Sequence, residues 1–366
     1  MNICLIGDGI STLILATLLA NRKIRVFIYE EDQPKKKIIS RTLGITKENS
    51  NFLSNEKINL KKYSWPIDKI EIFNDTENNR ILNFGENNDK IFSIIKYKDM
   101  VQLLNNIVKK NKFIKKIKIK KSSFYNSILT KKNNFNLIFN FNDKNKISKN
   151  IFSKRIEKDY NSTAFSSIID HSTCKNNTAQ QIFTKFGPLA FLPCSKNKTS
   201  IVFSVIDQTN IFSDSKIKDL ITNYNKKYEI KSFSKFEKFK LKSSILKNYY
   251  FKNILCFGDN LHKIHPLAGQ GLNMTIRDMK ILLYLIDTKI NLGLPLDNSI
   301  LIDFQKKTKH YNYIFSSAID FIYEFFKFDN NFGKKYSKKL FTLLQSNNLF
   351  KNYTVKLADK GFFSNY

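Results

Sequence analysis

The stretch NICLIGDGISTLILATLLANRKIRVFIYE, Asn2 to Glu30, decides how the rest of the chain is read. It opens on an apolar run, Asn2 to Ile6, and turns through Gly7-Asp8-Gly9-Ile10-Ser11-Thr12. It continues as an almost wholly apolar segment, Leu13 to Ala20, and closes on a second run, Arg25 to Glu30. Short apolar runs bounded by turn residues predict strands, and the segment between them predicts a helix. A helix apolar all round must be buried. Strand, glycine turn, buried helix and strand together form the first unit of a doubly wound α/β fold. Gly7 and Gly9 are the first two glycines of GxGxxG, with Thr12 in place of the third. Gly7 allows the tight turn. Gly9 lets a pyrophosphate approach the helix N-terminus, where free N–H groups and the helix dipole favour anions. Glu30, about twenty residues on, is placed to accept hydrogen bonds from a ribose diol. Thr12 predicts a slightly looser packing of helix on strand. Alone, the motif supports a dinucleotide site or an ordinary buried strand-turn-helix.

A second concentration of glycine follows the apolar run Asn253 to Phe257. It reads GDNLHKIHPLAGQGLNMTIRDM, Gly258 to Met279, and holds three of the chain's 11 glycines. Asp259 falls at the C-terminal end of a buried strand, where ligands bind in parallel α/β sheets. Pro266 stiffens the loop and excludes helix before it. Gly269 and Gly271 strip side chains from the turn, and a helix follows with apolar residues at 272, 276, 279, 283 and 286. This predicts a second helix N-terminus with bare backbone amides. Two such termini in one chain suit a long ligand with a diphosphate and a polar ring at opposite ends.

The 366 residues are enough for two domains with a real apolar core. Lys and Arg number 62 against 31 Asp and Glu, a net charge of +31, which in general suits an anionic partner. Here the excess is mostly lysine spread along the chain with Asn and Ile, as AT-rich coding produces, so no nucleic-acid partner is expected. The densest run, Lys109 to Lys121, alternates Lys with Ile from Lys116 and predicts a strand with one solvated face. Cys4, Cys174, Cys194 and Cys256 form no CxxC pair and read as small apolar residues in a reducing compartment. The opening MNICLIGDG enters a strand at once, and no run of about eighteen apolar residues follows. The expected location is cytoplasmic.

Further along, Trp65 to Phe84 predicts short strands and Asp99 to Val108 a helix. Lys112 to Phe141 reads as strand, and Ala164 to Val205 as several alternating strands. A helix near Ser215 to Tyr224, a strand near Ile230 to Phe239 and a helical, aromatic stretch beyond Leu301 complete the order. This predicts a discontinuous Rossmann-like nucleotide-binding domain with an inserted antiparallel sheet and C-terminal helices.

The combination resembles the FAD-dependent aromatic hydroxylases of the p-hydroxybenzoate hydroxylase fold, and within them the ubiquinone-biosynthesis (UbiH-type) monooxygenases. Gly258 to Asp278 is close to the family's flavin-site segment. NTAQQIFTKFGPLAFLP, Asn177 to Pro193, resembles the family's substrate-sheet signature. Arg41, in SRTLGIT, falls where the family has a flavin-contacting Arg, and YTVKLADKGF near the C-terminus resembles its closing helix. The resemblance implies FAD-binding segments at 1–62, 91–155 and 246–295, substrate-domain strands at 63–90 and 156–245, and a helical region at 296–366. Asp259 would hold the ribityl hydroxyls. Gly269, Gly271, Leu272 and Asn273 would present backbone and amide groups to the pyrimidine edge of the flavin, after Pro266. Gly7, Gly9 and Glu30 would hold the ADP half. Lys98 stands where the family has an Arg, and can neutralise phosphate without forming a planar fork. The family's Asp-Gly motif, linked to FAD and NAD(P)H, is absent from Asn142 to Tyr160.

The implied activity is hydroxylation of the aromatic ring of a polyprenylated ubiquinone precursor through a flavin hydroperoxide. Molecular oxygen is the co-substrate, NAD(P)H the reductant, and no catalytic acid or base is assigned. Contact with other ubiquinone-biosynthesis proteins and with the inner face of the membrane follows from the same resemblance. The alternatives are a non-catalytic FAD-binding accessory protein and a flavin-dependent reductase on the same fold. Asp259, His262 and His265 could be taken for a metal site, but a segment with Pro266 and glycines does not place both imidazoles on one helical face, and no metal is expected. The stripe Ile314, Phe315, Ala318, Ile319, Ile322, Phe325 and Phe326 reads as a helix docking on the core.

Overall fold

In the computed structural model the described residues are 1–31, 41–74, 80–84, 90–119, 123–130, 134–206, 212–265 and 269–331. The closing segment Tyr353 to Phe362 lies outside them, as does Pro266.

Six strands make the first sheet: β1 (Asn2–Ile6), β2 (Arg25–Glu31), β8 (Ile114–Ile119), β9 (Leu137–Asn140), β16 (Tyr250–Phe251) and β17 (Ile254–Cys256). Their order is β16-β17-β9-β1-β2-β8. All pairings are parallel except the short β16–β17 hairpin. Parallel strands are covered on both faces, so the central ones are apolar throughout. Ile3, Cys4, Leu5 and Ile6 of β1 are all fully buried. The chain leaves β1 toward β2 on one side and later returns to β9 on the other, so the strand order reverses between β1 and β9. Ligands bind at such reversals, outside the carboxyl ends of the strands.

Helix α1 (Ile10–Asn21) packs between β2 and two other helices, α3 (Tyr97–Lys110) and α7 (Gln270–Asn291). That surround accounts for a helix with no polar face. Leu13, Leu15, Leu18 and Leu19 are sealed in the main core, where truncating one leucine to alanine costs about 2–5 kcal/mol. At its C-terminal end Arg22 binds Glu56 at 3.1 Å and Asp287 at 2.6 Å. The salt bridges tie α1 to α7 and to the end of α2 (Lys47–Asn55).

The second sheet has nine strands: β5 (Lys69–Asn74), β6 (Arg80–Phe84), β10 (Arg155–His171), β11 (Thr178–Thr184), β12 (Gly187–Ser195), β13 (Lys198–Ile206), β14 (Ile230–Phe233), β15 (Glu237–Leu246) and β18 (His262–Lys263). It runs β18-β15-β10-β13-β12-β11-β5-β6, with β14 also on β10, and only β5–β11 is parallel. Helix α6 (Asp214–Tyr224) covers one face, burying Ile217 and Ile221 against Phe191 and Phe203. A small third sheet, β3 (Thr42–Thr46), β7 (Phe92–Lys96) and β4 (Ser64–Ile67), bridges the two. Thr42 Oγ1 donates to Ser200 Oγ of β13 at 2.9 Å.

Several expectations need correcting. The span 112–141 is not all strand, because α4 (Ser123–Leu129) interrupts it. Phe124, Tyr125, Ile128 and Leu129 recur at helical spacing and pack on the main core, with Phe124 stacked on Tyr29 at 4.2 Å. A short α5 (Lys146–Ile151) follows β9. The strand expected over Ile230 to Phe239 is two, β14 and β15, because Ser234 N–H bonds Ile168 O and Phe236 turns into the core under α6. On α8 (Ser299–Asn331) the apolar stripe is split. Phe315 and Ile319 pack inward, while Ile314, Ala318 and Ile322 are exposed. The inward face instead carries Asn312, Ser316, Ile319 and Tyr323, all buried. Among the described residues no helix is long and apolar enough to cross a membrane.

Candidate cofactor site

The first glycine turn caps β1 at the reversal of strand order. Gly7 has φ 132°, and its N–H donates to Tyr29 O at 2.9 Å. A Cβ at Gly7 would lie 3.1 Å from Phe141 Cβ and 3.2 Å from Thr12 Oγ1, so both conformation and packing demand glycine. Thr12 is itself fully buried, and its hydroxyl has no partner among the described residues. Thr12, in place of the third glycine, thus sets that hydroxyl against the bare Gly7. Gly9 is different. It is the N-cap of α1 at φ −75°, ordinary extended backbone, and a Cβ there would meet nothing within 4 Å. No side chain caps α1, which leaves its first N–H groups without a side-chain acceptor at the N-cap.

Glu30, at the end of β2, is not alone. Its Oε1 accepts from Lys116 Nζ of β8 at 2.8 Å, and the same ammonium donates to Asn105 Oδ1 of α3 at 2.8 Å.

The second turn begins where β17 ends. Gly258 has φ 62°, and a Cβ there would stand 3.2 Å from Phe141 Cδ1 and 3.5 Å from Ser11 Cβ. One residue, Phe141, thus stands against both glycine turns. Asp259 is exposed at the tip of a 3₁₀ turn, Gly258–Asn260. The turn is anchored by Asn260, whose Nδ2 donates to Asn140 O at 2.9 Å and Ser148 Oγ at 3.1 Å. Its Oδ1 accepts from Arg155 at 2.6 Å. Asn140 Nδ2 donates to Ser148 Oγ at 2.8 Å, and Asn145 Nδ2 donates to Asn140 Oδ1 at 2.8 Å. Within the segment that lacks Asp-Gly, Asn145 and Ser148 thus join a buried amide cluster that fixes the Asp259 turn.

Past the residues that include Pro266, Gly269 caps α7 at φ 65°, within 3.4 Å of Gly44 N if given a Cβ. Gly271 would meet nothing within 4 Å, and again no side chain caps the helix. Leu272 is half-buried. Asn273 is buried, and its amide is occupied. Oδ1 accepts from Thr46 N–H and from Asn49 Nδ2, each at 3.1 Å, while Nδ2 donates to Gly44 O at 2.8 Å. Its side chain fixes the turn on β3, and only backbone remains to present to a ligand.

Behind the turn, His262 Nε2 lies 2.7 Å from Asp278 Oδ2, and Arg277 lies 3.1 Å from Asp278 Oδ1. Burial alone would push the Asp278 carboxyl up; Arg277 and His262 outweigh it and hold it below the usual carboxylate range. His265 goes elsewhere, between the rings of Tyr160 at 4.7 Å and Tyr323 at 4.6 Å. Burial, with Lys158 nearby, lowers its pKa to about 4, and neither ring nitrogen has a partner among the described residues. No cluster of three or more metal-ligating side chains occurs among the described residues. Arg41 lies over the Tyr97 ring at 5.4 Å, and the residue after that tyrosine, Lys98, is exposed in the first turn of α3. Thr42–Lys96 pairing brings these two basic residues to one corner. Cys4 and Cys256 are buried free thiols, and burial pushes Cys194 up to about 12.

Sequence reasoning finds the glycines and Asp259 but misses the side chains that hold them: Phe141, Lys116, Thr46, Asn49, Asn140 and Asn260. In a chain so rich in Asn and Lys, no local pattern marks these positions. The donor set fits FAD. Two uncapped helix N-termini, each with open space over a glycine that no packing requires, suit a ligand with an anionic diphosphate and a flat polar ring.

The FAD binding domain family matches residues 161–290, which include Gly258 to Asn273. The chain is similar to the ubiquinone biosynthesis monooxygenase COQ6, mitochondrial, of Dictyostelium discoideum, at 24% identity. That match covers 41% of this chain and 38% of the relative, well under half its length. Among solved structures, p-nitrophenol 4-monooxygenase PnpA of Pseudomonas putida superposes with a TM-score of 0.79 at 9% identity, covering 100% of this chain and 98% of that one. HpxO of Klebsiella pneumoniae, complexed with FAD and uric acid, gives 0.73 at 9% identity, covering 99% and 96%. PqsL of P. aeruginosa, in complex with 2-aminobenzoylacetate, gives 0.71 at 14%, covering 90% and 97%. The chain thus matches the FAD binding domain family over residues 161–290 and shares the overall fold of these solved structures.

Proposed function

We propose that the chain is an FAD-dependent monooxygenase that hydroxylates the aromatic ring of a polyprenylated ubiquinone precursor. The observation that carries this reading is the open, uncapped turn Gly269–Gly271 at the start of α7. It is supported by the likeness to a ubiquinone biosynthesis monooxygenase. When bound, FAD supplies the redox chemistry by which oxygen is activated and one atom passed to an electron-rich ring.

The chain's residues bind and orient. Backbone N–H groups at Gly9 and the start of α1 meet the diphosphate, and Glu30 meets the ribose. Asp259 takes the ribityl hydroxyls, while Gly271 and Leu272 turn backbone N–H groups toward the pyrimidine edge of the flavin. The positive end of α7 favours negative charge at that edge. Asn273, held by Thr46 and Asn49, fixes the turn, and Arg41 and Lys98 place positive charge at one corner. NAD(P)H is the reductant in this reading, and peripheral contact with the inner face of the membrane brings the protein to a lipid-soluble substrate.

The test is complementation of strains each lacking one ring hydroxylase, with accumulated quinone intermediates identified by mass. Rescue of one strain, with loss of its intermediate, is expected. A purified protein that is colourless and cannot be reconstituted with FAD would sink the reading. A second reading, a non-catalytic FAD-binding accessory protein, is favoured by one observation: Asn145 and Ser148, in the segment that lacks Asp-Gly, are engaged in a buried cluster with Asn140 and Asn260. Rescue of no strain, with normal expression and bound FAD, would support it.

A further inference from the structure

We infer that Lys116 is the positioning residue for the ribose-binding carboxylate, setting the affinity for the adenosine end of FAD through Glu30. The inference rests on FAD as the bound cofactor with its ADP half at Gly9 and Glu30. It goes beyond that reading by giving a role to a lysine in a run that the sequence marks only as a solvated strand face.

The geometry is a relay of three fixed bonds across three elements. On α3, Asn105 Nδ2 donates to Val101 O at 2.9 Å, which orients the amide so that Oδ1 faces β8. Lys116 Nζ donates to that Oδ1 at 2.8 Å and to Glu30 Oε1 at 2.8 Å. A long, flexible ammonium side chain is thereby held at two points. The carboxylate it holds sits at the end of β2, with its side chain 14% exposed, and the Lys116 side chain is 33% exposed. An isolated ion pair this exposed contributes little to stability. Its effect falls on a ligand instead. A carboxylate already fixed in one rotamer loses less freedom when it accepts ribose hydroxyls. A lysine at its back also offsets a negative charge in the same molecule's reach as an anionic diphosphate.

The test is a double-mutant cycle on FAD affinity, read by quenching of flavin fluorescence as the apoprotein is titrated, with thermal unfolding as the fold control. Lys116→Met is expected to raise the Kd for FAD about tenfold, the value of one hydrogen bond to a charged group, with an unchanged unfolding midpoint. In a Glu30→Gln background the same change should produce no further loss, because the lysine acts only through that carboxylate. Lys116→Arg should restore most of the affinity. Asn105→Leu, which releases the ammonium from α3, should give a smaller loss of the same kind. An unchanged Kd in Lys116→Met would overturn the inference, as would an equal loss with and without Glu30. If the wild-type protein binds no FAD at all, the cofactor reading falls and this inference with it. If it binds FAD normally and only the cycle fails, this inference alone is wrong.

Discussion

The hairpin at Gly187 and the turn at Gly9 each hold a glycine, for opposite reasons. At Gly187, φ is 132° and a Cβ would sit 2.0 Å from Ser204 O, inside the backbone of β13. At Gly9 the backbone is ordinary and a Cβ would meet nothing within 4 Å. Gly271 repeats the second case. One kind of glycine is required by the protein's own packing; at the other the packing leaves room for a side chain, and the cofactor proposed above would account for its bareness.

The largest expected effect is on the scaffold side. Gly187→Ala should lose roughly 3–5 kcal/mol, from a disfavoured backbone conformation and a forced shift of β13, seen as a lower urea midpoint with little left of the β12–β13 pairing. A variant as stable as the parent would break the comparison at its root.

Asp278→Asn tests whether α7 is divided in the same way along its length, with its start for the ligand and its middle for the fold. Removing a fully buried carboxylate that faces Arg277 and His262 should cost roughly 3–5 kcal/mol, because the remaining partners are left uncompensated. The sign with pH follows from the lowered pKa of Asp278. Its contribution is present above the unfolded value near 3.9, and is lost as pH falls through the lower folded value. The acid limb of the wild-type stability curve should flatten in the variant.

His265 gives a smaller and differently placed effect. With a folded pKa of about 4 against 6.5 unfolded, the unfolded chain takes up a proton first as pH falls. Stability is therefore complete above pH 6.5 and is lost by roughly 3 kcal/mol on going down to pH 4. His265→Phe, an apolar ring between Tyr160 and Tyr323, should remove that slope. Unfolding midpoints between pH 7 and 4.5 that still track the wild type would contradict the assignment.

The smallest effect on stability is the sharpest on the comparison. Gly9→Ala and Gly271→Ala should each leave unfolding free energy within about 0.5 kcal/mol of the parent. Each should weaken FAD binding by about tenfold or more, the equivalent of ~1.4 kcal/mol. Equal loss of stability and affinity would mean that these glycines belong to the scaffold after all.

Much of the architecture is legible in periodicity. The all-apolar stretch after Gly9, the stripe in α3 and the apolar positions of α7 each announce a helix, because burial imposes its spacing on the residues that face inward. The same rule explains the misses. In α4 the apolar pairs 124/125 and 128/129 are hidden between lysine runs that continue the β-like alternation. Across Lys231 to Phe239 the apolar residues stand at 233, 236 and 239, three apart, and the strand breaks where Phe236 turns to a core that lies off the sheet. On α8 the buried line includes Asn312 and Ser316, polar residues whose burial depends on distant partners such as Asp278. Of the site, the glycines are legible because their bareness is local. Lys116 on Glu30 and Asn49 on Asn273 are not, because each joins elements far apart in the chain, and a pairing of that kind leaves no local mark.

Phe141 stands against both the Gly7 turn, through its Cβ, and Gly258, through its ring, so these two turns share one neighbour. Drift in the surrounding sequence can remove the third glycine or the Asp-Gly pair one at a time, since each change is local. A change in the volume of that ring would be felt first at Gly258, where Cδ1 and Cε1 stand closest, while the Gly7 turn depends on the Phe141 Cβ and backbone. Phe141 therefore couples the packing of β1's turn to that of the Asp259 turn, so a replacement there reaches two loops distant from it in sequence, one at the start of the chain and one well beyond it.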